Sequence, residues 1–184
     1  MSDDGDDGAY PISRRRIEEL EALRYFYDNG VPQNIQGITD PEQYQQFEYR
    51  EFLLQSRTRP HMETFDYGEL QDVHRHLFGN VWSWAGETRS YTTGRNDPSF
   101  ARPEFIEPEM NKLLSELNAE NNLAGKSRDA FVERAAHYTN EINAIHPFVE
   151  GNGRVTRAFL EDLAVNDVRP NLPPVMGRVR FQNV

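Results

Sequence analysis

The feature that most constrains the fold is a run of apolar residues in the second half of the chain. They recur at intervals of four, three, four and three residues: Phe131, Ala135, Tyr138, Ile142 and Ile145. This spacing places all of them on one face of an α-helix. Ser127 is suitably placed to cap its first turn. The segment therefore predicts a long amphipathic helix with one buried face.

Shorter segments repeat the helical pattern. Further helices are predicted over residues 13–28, from Pro41, over residues 70–78 as far as Gly79, from Pro103 and from near Gly153. The fold class expected is all-α, or mainly α, in a single domain. Residues 88–100 break the pattern and predict a β-hairpin or a mobile flap.

Composition limits the classes of function. The formal net charge is −10, which argues against a protein that binds nucleic acid through a broad basic surface. The sequence has no cysteine and no apolar run of about 18 residues. A soluble protein with no membrane partner is therefore expected. Residues 1–11 contain Asp3, Asp4, Asp6 and Asp7 between glycines and predict a disordered acidic start.

The strongest local motif runs from His146 to Arg157, with the sequence His-Pro-Phe-Val-Glu-Gly-Asn-Gly-Arg-Val-Thr-Arg. Residues 151–153 are Gly-Asn-Gly, which tolerate unusual backbone angles. Such a turn can direct several N–H groups to one point at the N-terminus of the next helix, where an anion is favoured. Arg154 and Arg157 are three residues apart and share a face. Two guanidinium groups beside an amide nest suit a polyphosphate.

The remaining motif residues add chemistry to this anion site. Glu150 directly precedes the nest, and a carboxylate beside phosphates is a typical ligand for Mg²⁺. His146 offers a general base, since an imidazole titrates near neutral pH. Phe148 is expected to insert into the core and Pro147 to stiffen the loop. The set predicts phosphate-transfer chemistry, although the sequence has no P-loop and no kinase motif.

This segment closely resembles the active-site motif of Fic domain proteins, H-P-F-x-[D/E]-G-N-G-R-x-x-R. All nine defining positions match: His146, Pro147, Phe148, Glu150, Gly151, Asn152, Gly153, Arg154 and Arg157. The segment Trp82-Ser-Trp-Ala-Gly-Glu87, the predicted flap and the helix before the motif are also similar. The resemblance covers residues 60–166, within a single Fic domain expected over residues 12–184.

The resemblance implies a Fic-type helical bundle with a β-hairpin flap beside the active-site loop. It further implies an enzyme that transfers AMP from ATP to a Tyr, Thr or Ser hydroxyl of a target protein. By that analogy His146 deprotonates the hydroxyl, Glu150 holds Mg²⁺, residues 151–153 cradle the phosphates, and the two arginines bind the β- and γ-phosphates. The target would dock by main-chain pairing on flap residues: Tyr91, Thr92, Thr93, Gly94 and Arg95.

Many Fic proteins carry an inhibitory helix of the form [S/T]-x-x-x-E-[G/N], which neither terminus contains. The chain is thus expected to be restrained by a separate small antitoxin protein or to be unrestrained. Two alternatives remain open. One is the same fold with another donor, giving phosphoryl, UMP or phosphocholine transfer, and the other is a nucleotide-binding regulatory module without catalysis. The expected location is the bacterial cytoplasm, with delivery into a host cell left open.

Overall fold

The computed structural model of the chain describes residues 23–92 and 100–168, and the regular structure within these ranges is helical. Five α-helices occur there: α1 (Pro41–Ser56), α2 (Tyr67–Phe78), α3 (Pro103–Ala119), α4 (Arg128–Ile145) and α5 (Asn152–Val168). A short 3₁₀ turn, Asn121–Leu123, follows α3. The mainly α-helical fold class is therefore confirmed. None of the helices in these ranges is long and apolar enough to cross a membrane.

Local sequence signals account for where the helices start. The Asp40 carboxylate accepts a hydrogen bond from the Gln43 N–H at 2.9 Å, and Pro41 occupies the first turn of α1, where the missing N–H costs nothing. Ser127 caps α4 by accepting from the Ala130 N–H. Four of the five predicted apolar positions of α4 are buried, and Phe131 packs against the core edge.

The helices pack so that the connection between α4 and α5 lies against α2. Helix α4 contacts α3 and α5, while α2 contacts α1, α3 and α5. The residues at the centre have no exposed surface, among them Leu70, Phe78, Ile106, Met110 and Phe159. Since α2 crosses next to α5, its buried side chains form the floor beneath residues 146–152.

Two predicted elements differ from the structure or lie outside its described ranges. The predicted first helix does not continue through residues 23–28, which form turns and one isolated bridge between Phe26 and Pro32. Residues 13–22 lie outside the described part. The Asn29-Gly30 turn, in which Gly30 has φ 81°, folds the chain back instead, as Asn-Gly pairs favour. No β-strand occurs in the described ranges, and residues 93–99 fall between them, so the β-hairpin flap stays a prediction.

A buried ion-pair network attaches the segment before α2 to α5. Asp162 of α5 is 2% exposed. Its carboxylate accepts bonds from both terminal nitrogens of Arg59, at 2.5 and 3.0 Å, from His61 Nδ1 at 2.5 Å and from the Met62 N–H at 3.0 Å. Burial alone would raise the pKa of Asp162, but the bonds from Arg59, His61 and Met62 together lower it below its ordinary value.

Replacement of Asp162 by Asn is expected to lower the free energy of unfolding by about 3 kcal/mol, because breaking a buried pair leaves the other charge uncompensated. A carboxylate with a lowered pKa stabilises the fold above its unfolded-state pKa, about 3.9, and loses that contribution as pH falls through the folded-state value. The difference between wild type and variant should therefore be constant near neutrality and shrink below about pH 4. Denaturant unfolding across this pH range measures it.

The matched control is Glu120→Gln. Glu120 also has several partners, Arg134, Lys126 and Tyr138, but its side chain is 26% exposed. Solvent screens such a pair, so its loss should cost no more than about 1 kcal/mol. Equal losses in the two variants would contradict the special role given to the Asp162 network.

Candidate active site

The candidate site lies at the sharp connection from α4 to α5. His146 ends α4 in the left-handed conformation, with φ 55° and ψ 64°, and its N–H donates to the Ile142 carbonyl at 2.9 Å. Gly151 has φ 81°. A Cβ at that position would lie 2.6 Å from Cε2 of Phe78. Both the backbone angle and the close approach to α2 therefore require glycine at position 151.

The Asn152 side chain closes this connection. It is 5% exposed, its Oδ1 accepts from the Phe148 N–H at 3.0 Å, and its Nδ2 donates to the Phe148 carbonyl at 2.8 Å. Phe148 is 1% exposed and stacks on His74 with ring centroids 4.1 Å apart. Asn152 was predicted to contact phosphates. Because its side chain bonds to Phe148 within the loop, its backbone N–H is the donor left for such a contact.

The first turn of α5 presents backbone donors. The N–H groups of Arg154 and Val155 both donate to the Gly151 carbonyl, at 3.0 and 3.1 Å. Within the described ranges, no acceptor lies at the N–H groups of residues 151–153, which are the orphan donors of a helix start. A Cβ on Gly153 would meet no atom of the described part of the chain within 4 Å. Of the three residues, only Gly151 uses a left-handed backbone, and Asn152 and Gly153 are already helical.

Arg154 is held at one side of this turn. Its guanidinium forms an ion pair with Glu48 of α1 and lies over the rings of Phe78 and Phe52, at 4.5 and 5.1 Å from the centroids. Cation–π contact of this kind fixes the plane of an arginine. A phosphate that binds Arg154 must therefore share it with Glu48 or displace that carboxylate. Arg157, one turn later, is exposed.

Glu150 is exposed and lies on the same side of the site as Arg154. Both residues line an open cavity of about 510 Å³, whose other walls include Tyr44, Glu48 and Trp82. No cluster of three or more His, Asp or Glu side chains that could hold a metal occurs in the described ranges. A single carboxylate fits Mg²⁺, because this ion keeps several waters and completes its shell with substrate phosphates.

The His146 imidazole is held face to face with an aromatic ring. Phe100 stacks on it with centroids 3.7 Å apart and planes 3° apart, and Nδ1 of His146 is buried. The His146 carbonyl accepts a bond from Nε of Arg89 at 2.7 Å. The imidazole is thus oriented by the neighbouring residues 89 and 100 as well as by its own helix.

His74 supports the same loop from α2. Its Nδ1 accepts from the Gly86 N–H at 2.8 Å, so its Nε2–H donates to the Glu150 carbonyl at 2.9 Å. Burial is the main cause that lowers the pKa of His74, to about 4. His74 is therefore neutral near pH 7, in the one tautomer that connects the turn at Gly86 to the motif loop.

The predicted flap residues are only partly within the described ranges. Tyr91 is 8% exposed, and its ring packs against Tyr25 at 5.7 Å. Thr92 is half-buried. Thr93, Gly94 and Arg95 lie outside the part of the chain that the structure describes, so their docking role is untested.

Comparison with known proteins agrees with this loop and helix arrangement. Residues 64–164, more than half of the chain, match the model of the Fic/DOC family. The chain belongs to the Fic/DOC family. The matched range contains the whole of the motif and helices α2 to α4.

Individual relatives extend the match. The chain is 42% identical over 123 residues to the probable protein adenylyltransferase y4lH of Sinorhizobium fredii, covering 65% of this chain and 64% of that protein. It is 36% identical over 142 residues to the protein adenylyltransferase VbhT of Bartonella schoenbuchensis, covering 74% of this chain but 29% of VbhT. Each match thus spans less than two thirds of the relative's own length.

Solved structures show the same fold. The crystal structure of BepC from Bartonella tribocorum with bound AMPPNP aligns with a TM-score of 0.71 and 30% identity, over 78% of this chain and 77% of that one. The type IV secretion effector BepA aligns with a TM-score of 0.73 and 28% identity, over 79% and 56%.

The motif did not indicate every residue that shapes this Fic/DOC site. His74, Arg89 and Glu48 contact it from 57 to 106 positions away in sequence. His74 lies in the predicted helix over residues 70–78, and the structure shows it fully buried with both ring nitrogens bonded. No sequence pattern pointed to Arg89 or to Glu48.

Proposed function

We propose that the chain is a protein adenylyltransferase, which transfers AMP from ATP to a hydroxyl side chain of a target protein. One observation carries the proposal. The connection from α4 to α5 brings together the orphan N–H groups at the start of α5, the His146 imidazole, the Glu150 carboxylate and the Arg154 guanidinium. Relatives named protein adenylyltransferases, at 36–42% identity, and an AMPPNP-bound structural neighbour support it.

The triphosphate would be held by the helix start. The N–H groups of residues 151–153 would donate to phosphate oxygens, and the positive end of the α5 dipole would favour their charge. Arg154 would exchange Glu48 for a phosphate, and the exposed Arg157 would reach the far end of the triphosphate. Open space at Gly153 leaves room for the backbone to approach the phosphates closely.

The chemical step is an in-line displacement at the α-phosphate. His146 would take the proton of the target hydroxyl, and since Nδ1 is buried we assign this role to Nε2. The oxygen forms a bond to the α-phosphorus while the bond from that phosphorus to the bridging oxygen of the β-phosphate breaks, releasing diphosphate. Glu150 would hold Mg²⁺, which neutralises charge on the phosphates when bound.

Similar proteins suggest the partners and the location of the enzyme. The target would dock along residues 88–100, and a small antitoxin would restrain the enzyme; both are inferred from the resemblance alone. Several structural neighbours are described as VirB-translocated Bartonella effectors, so delivery into a host cell stands beside a cytoplasmic role in the bacterium.

Labelled ATP tests the function. The protein is incubated with bacterial lysate, Mg²⁺ and ATP labelled at the α-phosphate or, in parallel, at the γ-phosphate. Adenylylation predicts protein-bound label from the α position alone. Protein-bound label from the γ position would replace the proposal with phosphorylation. If AMPPNP binds but no label is transferred from either position, a regulatory binding module is favoured.

A further inference from the structure

We infer that Arg89 is a positioning residue for the proposed reaction: its buried guanidinium fixes the backbone of His146 and the stacked ring of Phe100 in one arrangement. The inference rests on the proposed function only for its catalytic consequence. The arrangement itself can be measured without activity.

The guanidinium of Arg89 donates hydrogen bonds to several backbone carbonyls. Arg89 is 1% exposed. Its Nε donates to His146 at 2.7 Å, Nη1 to Tyr91 at 2.7 Å, and Nη2 to Ile145 at 3.2 Å and to Ala101. Four of the five N–H donors of the group are thus used on carbonyl oxygens.

These carbonyls belong to two parts of the site. Ile145 and His146 end α4, where the helix carbonyls have no partner within the helix and carry the negative end of its dipole. Tyr91 and Ala101 belong to the described segments on either side of residues 93–99 in the sequence. The backbone N–H of Arg89 also donates to the Pro147 carbonyl at 3.0 Å. One side chain therefore ties residues 91 and 101 to the end of α4.

The consequence falls on the His146 imidazole. The bond to Ala101 holds the neighbouring Phe100, whose ring lies parallel to the imidazole at 3.7 Å. The bonds to Ile145 and His146 hold the left-handed cap from which the imidazole projects. No carboxylate of the described residues forms an ion pair with Arg89. Within these ranges its buried guanidinium bonds to backbone carbonyls.

Arg89→Lys is the discriminating variant, because an ammonium keeps the charge but has three donors on one atom and cannot span four carbonyls. We expect protein-bound label from α-labelled ATP to fall about 100-fold, the loss associated with a misplacement of ~1 Å at a reacting group. AMPPNP affinity should stay within about threefold, because the donors at the start of α5 do not touch Arg89.

Two measurements separate positioning from general destabilisation. Stacking on Phe100 shields the His146 ring protons, so their NMR signals should move downfield in Arg89→Lys and, equally, in Phe100→Leu. Amide hydrogen exchange should accelerate at residues 90–92, 100–102 and 145–148 but not along α5. The control is Arg134→Lys, about three turns before His146 on α4. This variant should change neither the His146 ring-proton signals nor the exchange rates of these amides.

Unchanged His146 signals in Arg89→Lys would overturn the inference, whatever the activity. A parallel loss of AMPPNP binding and label transfer would also overturn it, since that is the result of a merely structural role. If wild type transfers no label while the ring signals shift as expected, the proposed function fails and the positioning role stands.

Discussion

Replacing His146 with Asn is expected to lower the transfer of α-label to protein by about 10²–10⁴-fold, the usual contribution of a positioned general base. An amide cannot take the proton of a target hydroxyl. Binding of Mg²⁺ and AMPPNP should persist, because the donors at the start of α5 are backbone groups. Label transfer and AMPPNP titration on the same preparation measure both quantities.

Asn is a sharper substitution here than Ala, for a reason of backbone geometry. Residue 146 has φ 55°, and Asn populates the left-handed region more readily than most residues. The thermal midpoint of His146→Asn should therefore equal or exceed that of His146→Ala, while both lose transfer. Retained transfer in the stable Asn variant would mean that another group acts as the base.

The helices could be predicted where a buried stripe and a capping residue agree. Ser127 with the stripe of α4, and Asp40-Pro41 before α1, are signals carried within one or two turns of chain. The predicted helix over residues 13–28 is wrong in its described part because a tertiary contact overrides local periodicity. Tyr25 is 3% exposed and packs edge-on against Trp84 at 5.6 Å, and Asn29-Gly30 turns the chain back.

The sequence predicted only those residues of the candidate site that lie close together along the chain. Spacing placed His146, Glu150 and Gly151–Gly153 on one connection. The supports of that connection come from other elements, and their partners are backbone carbonyls or a motif side chain. Within the described ranges Arg89 bonds to backbone carbonyls. Every residue type carries a carbonyl, so no pattern of residue types could point to these partners. Only the packed structure shows that Arg89 bonds to the end of α4 and the start of the motif loop.

Replacement by alanine is expected to change the free energy of unfolding in opposite directions at Gly151 and at Gly153. Gly151→Ala should lower the free energy of unfolding by about 2–4 kcal/mol, from left-handed strain together with overpacking. Both causes are visible, since φ is 81° and the new Cβ would lie 2.6 Å from the Phe78 ring. AMPPNP binding should fall with it, because the connection between α4 and α5 must shift.

Gly153→Ala should instead raise stability, by up to about 1 kcal/mol, because alanine is the better helix former. Its methyl meets no atom of the described residues within 4 Å, so a loss of AMPPNP affinity would indicate a ligand in that space. We expect a loss of about tenfold, the cost of forcing a methyl against a close contact. Unfolding curves and AMPPNP titrations on both variants check the pair. A stabilised Gly153→Ala variant that binds AMPPNP as tightly as wild type would place the phosphates away from the start of α5, and the proposed cradle would be wrong.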